Sequence, residues 1–540
     1  MRPFPQVFPG QLRRGPLIAF GFFVFALLLA YKVAQYIITN DTDSLAFAGM
    51  AFIGGVVVVA ILNNWRHGVY FFLGWLLFED FARKFLSNNM VIYFAKDILL
   101  AVVYLSFFVA CRRKEKDIQT FRPPFLMALL VFAWFGVLQM FNPASTSIFY
   151  GILGMKLYFY YMPLIVLGYA FMNSEEELRR FFHVNLGLML VIVALGIVQS
   201  ITGHTFLNPE NPAADIKELS TLYREAPISG VLVYRPTSVF VSAGRFSDML
   251  IVAWMMVFGF SGYLLLRHRR GRLFAFVALG LNVAGALMCA SRGVFMWTLG
   301  SGVVGGAAFI WGAPWRQGEA RRVMRTLVRA GLGVVLAVVA LLATYPEALL
   351  NRLAVYSETL DPRSPTSELL HRTRDYPLAN FMAAFTYPRW PYGYGIGAVS
   401  LGGQYVTRIM HVPPSTGGVE SGFGNIVVEM GIVGLLLWFV MAGAVLISAW
   451  RVVRKLRGSP WFPLAFMIFL YVFLLLLPFT FVGLQAYEDF VLNAYAWILV
   501  GILFRLPKLA LSAQFASTEQ ASQFAAASRI AYQPAPRGIR

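Results

Sequence analysis

A chain of 540 residues that is 58% hydrophobic and 13% charged, with a mean hydropathy of +0.65, carries more apolar surface than water-soluble domains can hide. A soluble enzyme is excluded. The formal charge of +19 would direct a soluble chain toward nucleic acid, but in a membrane protein the placement of Lys and Arg decides what that number means.

Apolar runs of roughly 17 to 25 residues match the length a helix needs to cross about 30 Å of hydrocarbon. In chain order they predict helices at 16–38, 45–62, 67–79, 91–110, 124–141, 148–172, 181–201, 246–266, 273–290, 293–311, 329–345, 422–449, 461–483 and 488–505. The first run follows Arg13 and Arg14 as a signal peptide would, yet it reaches Ile38 without a small-x-small cleavage site, so it reads as a retained helix. The third is the weakest: it is short, and Glu79, Asp80, Arg83 and Lys84 follow at once. A re-entrant segment there would invert everything after it.

The distribution of Lys and Arg tests this count, because cytoplasmic loops carry the excess. Fourteen crossings from an inside N-terminus place Arg2, Arg13, Arg14, Arg66, Arg179, Arg180 and the clusters 112–122, 267–272, 316–329, 451–457 and 505–540 inside, which is most of the 45 basic residues. The short outside connections 40–44, 142–147 and 483–489 hold none, and Arg83, Lys84 and Arg292 are the exceptions. The charge excess is therefore mainly an orientation signal, and no nucleic-acid partner is expected. The expected fold is all-α and polytopic. It comprises a cytoplasmic N-terminus at 1–15, helices one to eleven within 16–345 with an outside loop at 202–245, and a large outside loop with short helices at 346–421. Three more helices follow within 422–505, then a disordered cytoplasmic tail at 506–540, rich in Ala, Ser and Gln. Cys111 and Cys289 have neither CxxC spacing nor a metal-ligand neighbour, so no disulfide or metal site is expected. There is no repeat of period 20 to 50 and no inverted duplication.

Chemistry is expected on the outside loops. The second holds Arg352, Arg363, Arg372, Arg374, Arg389 and Arg408 but no lysine. Guanidinium forks bind phosphate oxygens bidentately, whereas an ammonium is a point charge. The alternative is pairing with the acids of the same loop, Glu347, Glu358, Asp361, Glu368, Asp375 and Glu420. Charged residues at or inside helix ends point more directly to function, because burying one alone costs several kcal/mol. These are Arg292, Arg245 with Asp248, Arg235 ten residues before Arg245, and Lys156, for which a buried pair with Asp97 or Glu429 competes with a ligand contact. Acid–base candidates are His371, His411, Glu420 and Asp248. Glu420 shortly precedes a helix start, where a carboxylate gains from the helix dipole as a base or as a cap.

Four segments then resemble the family of bacterial O-antigen polymerases and O-antigen ligases, inner-membrane enzymes acting at the periplasmic face. Tyr234-Arg-Pro-Thr-Ser-Val-Phe-Val-Ser-Ala-Gly-Arg-Phe-Ser247 is similar to the family's Arg-containing segment entering a helix, and Ala290-Ser-Arg-Gly293 to its Ser-Arg-Gly between helices. Pro391-Tyr-Gly-Tyr-Gly-Ile-Gly397 resembles its turn of Pro and alternating Gly. Glu420-Ser-Gly-Phe-Gly-Asn-Ile-Val-Val-Glu-Met-Gly-Ile-Val-Gly434 resembles the segment opening the helix after the large loop. The likeness covers about 148–450 in order and spacing. Where ligases usually carry a His-Asn pair, this chain has Glu420 and Ser421, with His411 nine residues upstream, so a polymerase fits better.

The resemblance implies a metal-independent, cofactor-free glycosyl transfer. Its donor and acceptor are undecaprenyl-pyrophosphate-linked oligosaccharides, and a chain-length regulator or export machinery is a further partner. It implies pyrophosphate binding by Arg235, Arg245, Arg292, Lys156, Arg372 and Arg374, and a base at Glu420 with His411 second. Sugar stacking falls to Trp390, Tyr392 and Tyr394, in competition with a plain interfacial aromatic belt. Alternatives are a ligase transferring glycan to lipid A core, a transporter of a lipid-linked or small solute, and a non-catalytic export scaffold.

Overall fold

The structure, a computed structural model, describes residues 42–86, 88–113, 118–210, 222–267, 271–314, 342–361, 370–483 and 486–531, with Lys32, Gln35, Thr39 and Val339 singly, and only the backbone of 42–47, 50–51, 348, 372 and 514–531. Apart from one two-stranded ribbon, its regular elements are helices. They are α1 Thr42–Asn63, α2 Trp65–Phe85, α3 Met90–Arg112, α4 Leu126–Met140, α5 Ile148–Phe159, α6 Leu164–Phe171 and α7 Glu175–Thr202. The ribbon β1 Tyr223–Glu225 and β2 Leu232–Tyr234 follows, then α8 Ala243–Arg267, α9 Arg272–Met288 and α10 Arg292–Gly312. Short helices α11 Pro346–Leu360, α12 Tyr376–Ala383 and α13 Gly403–Met410 precede α14 Gly422–Lys455, α15 Phe462–Leu474, whose helical path runs on to Val482, and α16 Phe490–Ala531.

Among the described residues eight helical segments are long and apolar enough to cross a membrane, which makes this a multi-pass α-helical membrane protein. The stretch expected at 16–38 and most of that at 329–345 lie outside the described residues. Contacts divide the chain into two units, residues 1–72 with 97–110, and residues 73–96 with 111–540. In the first, the Ser106 hydroxyl donates to the Ile61 carbonyl at 2.8 Å, and Trp65 meets Phe107 edge-on at 4.9 Å.

The second unit is built around α8 and α16. The hydrophobic windows of Ala243–Arg267 and Phe490–Ala513 are 89% buried, against 22% for Arg292–Gly312, so the first two form the interior and α10 the rim. Gly168 on α6 and Gly501 on α16 explain one close crossing: a Cβ on either would lie 2.2 or 2.1 Å from a carbonyl oxygen of the other helix. Small residues let helix backbones approach where lipid supplies no hydrophobic drive. On α14 the apolar residues divide by face. Val433, Leu436, Val440 and Ile447 are exposed in one stripe, while Leu435, Trp438, Met441, Val445 and Ala449 are buried. An exposed stripe of that composition belongs against hydrocarbon.

Several elements depart from expectation for local reasons. The run 148–172 is broken at Tyr160–Pro163, where the proline lacks the N–H that would continue the ladder. Helix α7 starts at Glu175 rather than 181, because the Ser174 hydroxyl accepts from Glu177 N and three glutamates occupy its first turn. Backbone helix extends through 509–531, within the tail read as disordered, where Ala and Gln have high helix propensity. Most consequential is α2, one continuous helix of 21 residues. The charged residues that make its sequence look weak lie inside it, with Glu79, Asp80, Arg83 and Lys84 all buried.

Two of the motifs interlock. Gly431 breaks α14 with φ +69°, and the freed carbonyls of Val428 and Glu429 accept from Tyr394 N and Gly395 N, each at 2.9 Å. The turn 391–397 is thereby seated on the kink, with its other side against α5.

Candidate functional site

The last turns of α2, the start of α3 and the entry to α8 converge on one buried group of charges. Asp80 is the hub. Its Oδ1 accepts from Arg83 Nη1 at 2.8 Å, both its oxygens accept from Arg245 Nη1 at 2.7 Å, and Oδ2 accepts from Val241 N at 3.3 Å. Arg83 gives its other nitrogens to Asn88 Oδ1 and to the Tyr405 hydroxyl, the latter at 3.0 Å on α13. Lys84 Nζ donates to Thr237 Oγ1 at 3.0 Å and to the Ser238 carbonyl at 2.6 Å. Ser238 sits at φ +50°, a strained conformation for a residue with a Cβ. Gln199 of α7 holds it there, its Oε1 accepting from Thr237 N at 2.8 Å and Ser238 N at 2.6 Å.

Aromatic rings join further cations to this group. Lys96 pairs with Glu79 at 2.9 Å and stands 3.7 Å above the Tyr93 ring, and Lys156 lies 4.8 Å from the same ring. The Phe490 ring receives both Lys96 and Arg245 at 4.4 Å. Cation–π contact of this kind stabilises by about 0.5–1 kcal/mol when exposed and by about 2 kcal/mol or more when desolvated. Glu429, offered as a partner for Lys156, bonds elsewhere: it accepts from the Tyr158 hydroxyl at 2.9 Å, Ser400 Oγ at 2.9 Å and Val399 N at 3.1 Å. Ser400 Oγ also contacts Glu488 Oε1 at 2.8 Å. Burial and the nearby charge of Glu429 hold the Glu488 pKa well above the usual carboxylate range.

Arg235 and Arg292 bind opposite ends of the ribbon. Arg235 N extends the β pairing by donating to the Leu222 carbonyl at 3.0 Å, and Arg292 Nη2 donates to the Glu225 carbonyl at 2.9 Å. Ala226, Val233, Ala290 and Val355 form the small apolar cluster that packs the ribbon, the Ser-Arg-Gly turn and α11 together. Burial pushes the Arg235 pKa down, against the opposing influence of Cys289, Tyr356 and Asp248. Arg235 Nε is buried with no hydrogen-bond partner among the described residues. Asp248, one turn into α8, lies within the electrostatic reach of Asp489, Arg245 and Arg235.

Arg352, which the sequence groups with the loop arginines, has a structural post. Its Nε donates to the Met288 carbonyl at 2.9 Å and its Nη2 to the Ser200 carbonyl at 2.8 Å, satisfying the C-terminal carbonyls of α9 and α7.

The remaining expected site residues lie along 371–421 with partners of their own. Arg374 pairs with its exposed neighbour Asp375 at 2.7 Å, where water screens the interaction. Arg372 falls in the wide π-helical turn 371–375, and its side chain lies outside the described residues. Glu420 is exposed, accepts from the Tyr376 hydroxyl, and donates its backbone N–H to Asn380 Oδ1 at 3.3 Å. It is not the helix cap: Ser421 is, its hydroxyl accepting from Gly424 N. His411 ends α13 at φ +55° and is exposed. Trp390 is half-buried, edge-on to Phe385 at 5.4 Å, and Tyr394 meets Tyr387 at 6.3 Å. Tyr392 is 76% exposed and open to a ligand.

The sequence thus singled out Arg245 and Lys156 but missed Asp80, Arg83, Lys84 and Lys96 beside them, while the structure places Arg235 and Arg292 at the ribbon. The available signal was four charges in six residues directly after an apolar run, a density that a membrane helix tolerates only when the charges pair. No protein-family model matches the chain, and no curated protein matches it.

Proposed function

We propose that this chain polymerises polyprenyl-pyrophosphate-linked oligosaccharide repeats of an O-antigen or exopolysaccharide type, in the bacterial inner membrane and at its periplasmic face. The observation that carries the reading is the gathering of Arg83 and Arg245 on Asp80, with Lys84, Lys96 and Lys156 beside them. Fourteen crossings with both termini cytoplasmic set this group near the outer boundary, where a polyprenyl tail remains in lipid and its pyrophosphate reaches the cations.

A hydroxyl of the acceptor attacks the anomeric carbon of the donor. The bond from that carbon to the pyrophosphate oxygen breaks, the electron pair leaves with undecaprenyl pyrophosphate, and the hydroxyl proton passes to a base. Cations already held in place stabilise the charge that develops on the leaving group without reorganising as it forms. Glu420 is the base in this reading, since it is exposed and the Tyr376 hydroxyl orients its carboxylate, with His411 the second choice. Tyr392 and Trp390 provide surfaces for sugar rings.

Incubating the purified chain with lipid-linked oligosaccharide tests the proposal. A ladder of products is expected. One unit added to a different lipid would make it a ligase, and unchanged substrate appearing across a sealed vesicle would make it a transporter. Within this scheme Glu420→Gln should lower turnover about 10²-fold or more while leaving donor binding as it is. Equal losses in turnover and binding would assign Glu420 to structure instead.

A further inference from the structure

We infer that Asp80 is a positioning residue for the proposed reaction: it fixes the Arg245 guanidinium by one edge so that the other edge faces the pyrophosphate. This rests on reading the site as pyrophosphate-binding. Arg245 uses only Nη1 on Asp80, at 2.7 Å to each carboxylate oxygen, and its Nε and Nη2 make no hydrogen bond among the described residues. The Arg245 side chain keeps 23% of its surface exposed while that of Asp80 keeps 2%, so the carboxylate lies behind the guanidinium and the unused edge lies in front.

Asp80 is itself held rigid. Arg83 Nη1 and Val241 N bind it from two other directions, and Arg83 is fixed in turn by Asn88 and Tyr405. The Phe490 ring at 4.4 Å limits rotation of the Arg245 plane. A guanidinium is planar and can serve a carboxylate on one edge and a phosphate on another at the same time; an ammonium cannot. Asp80 belongs to α2, outside the segments that carry the family resemblance, and its charge would oppose an anionic ligand unless orientation were its contribution.

That opposition gives the inference its own signature. Asp80→Asn removes a negative charge near the ligand while releasing Arg245 from its fixed angle. With lipid-linked oligosaccharide extracted from the producing cells as substrate, kcat per folded molecule should fall about tenfold to a hundredfold, as misplacement of a catalytic group does. KM should stay level or drop. A structural role alone would lower the yield of folded protein and leave kcat per folded molecule unchanged, and that result overturns the inference.

Leaving one partner of a buried ion pair unmatched also threatens the fold. If Asp80→Asn does not accumulate, the neutral pair Asp80→Asn with Arg245→Gln replaces it. A residue that acts through Arg245 adds nothing once Arg245 is gone, so the double variant should match Arg245→Gln in kcat. A further loss in the double would show independent action and also overturn the inference. Binding of undecaprenyl pyrophosphate to the wild-type chain in nanodiscs separates the two levels. No binding and no turnover by wild type removes the pyrophosphate reading and this inference with it. Binding and turnover by wild type, with unchanged kcat in the Asp80 variant, removes the inference alone.

Discussion

Arg245→Gln is expected to lower polymer formation by about 10² to 10³-fold, the loss seen when one pre-aimed donor to a developing negative charge is removed, with folded protein still accumulating. Folding should survive because Asp80 is not stranded: Arg83 remains at 2.8 Å and Val241 N at 3.3 Å. Arg245→Lys should recover little, since one ammonium cannot reach both Asp80 and a phosphate oxygen in a fixed plane. Product length on a gel, measured beside monodispersity in detergent, checks both parts. Ladders of ordinary length from Arg245→Gln would remove the pyrophosphate role, whatever the fold does.

The contrast between Arg245 and Arg352 shows where the sequence was sufficient and where it was not. Arg245 stood out because a charge entering an apolar helix must be matched. Arg352 looked equally available in a polar loop, but its job depends on the ends of α7 and α9, more than sixty positions away in the chain, whose carbonyls it satisfies. Hydropathy located most of the membrane helices, because length and apolarity are local properties. It does not reveal how the charges of α2, a helix outside the eight long apolar ones, are matched by partners on other elements: Lys96 on α3, Arg245 on α8, Thr237 before α8. The break at Tyr160–Pro163 is legible from the proline, although the run around it is apolar throughout. Nothing local announces that Ser400 would bridge Glu429 and Glu488, since the three come together only when the 391–397 turn is seated on α14.

That seating predicts a large structural effect at Gly397. Its φ of +88° is left-handed, and a Cβ there would lie 1.9 Å from the Tyr150 carbonyl oxygen and 2.9 Å from Gly154 N. Both obstacles are backbone of α5, so no side chain can swing aside. From the other direction a Cβ on Gly154 would meet Gly397 N at 2.5 Å, which leaves neither surface room to withdraw. The left-handed conformation costs an alanine roughly 1–2 kcal/mol, and overpacking against a fixed backbone adds about 1–3 kcal/mol or more. Together these reach the range where single substitutions become exceptional. Gly397→Ala should therefore strip the turn from α5, loosen the Ser400 contacts three residues on, and leave little folded protein at the temperature where wild type is intact. Gly187→Ala, with nothing within 4 Å of the added Cβ, should behave as wild type. Thermal unfolding of the two variants in the same detergent decides the matter: equal midpoints would mean that the glycine turn and α5 do not pack as tightly as the interlock requires.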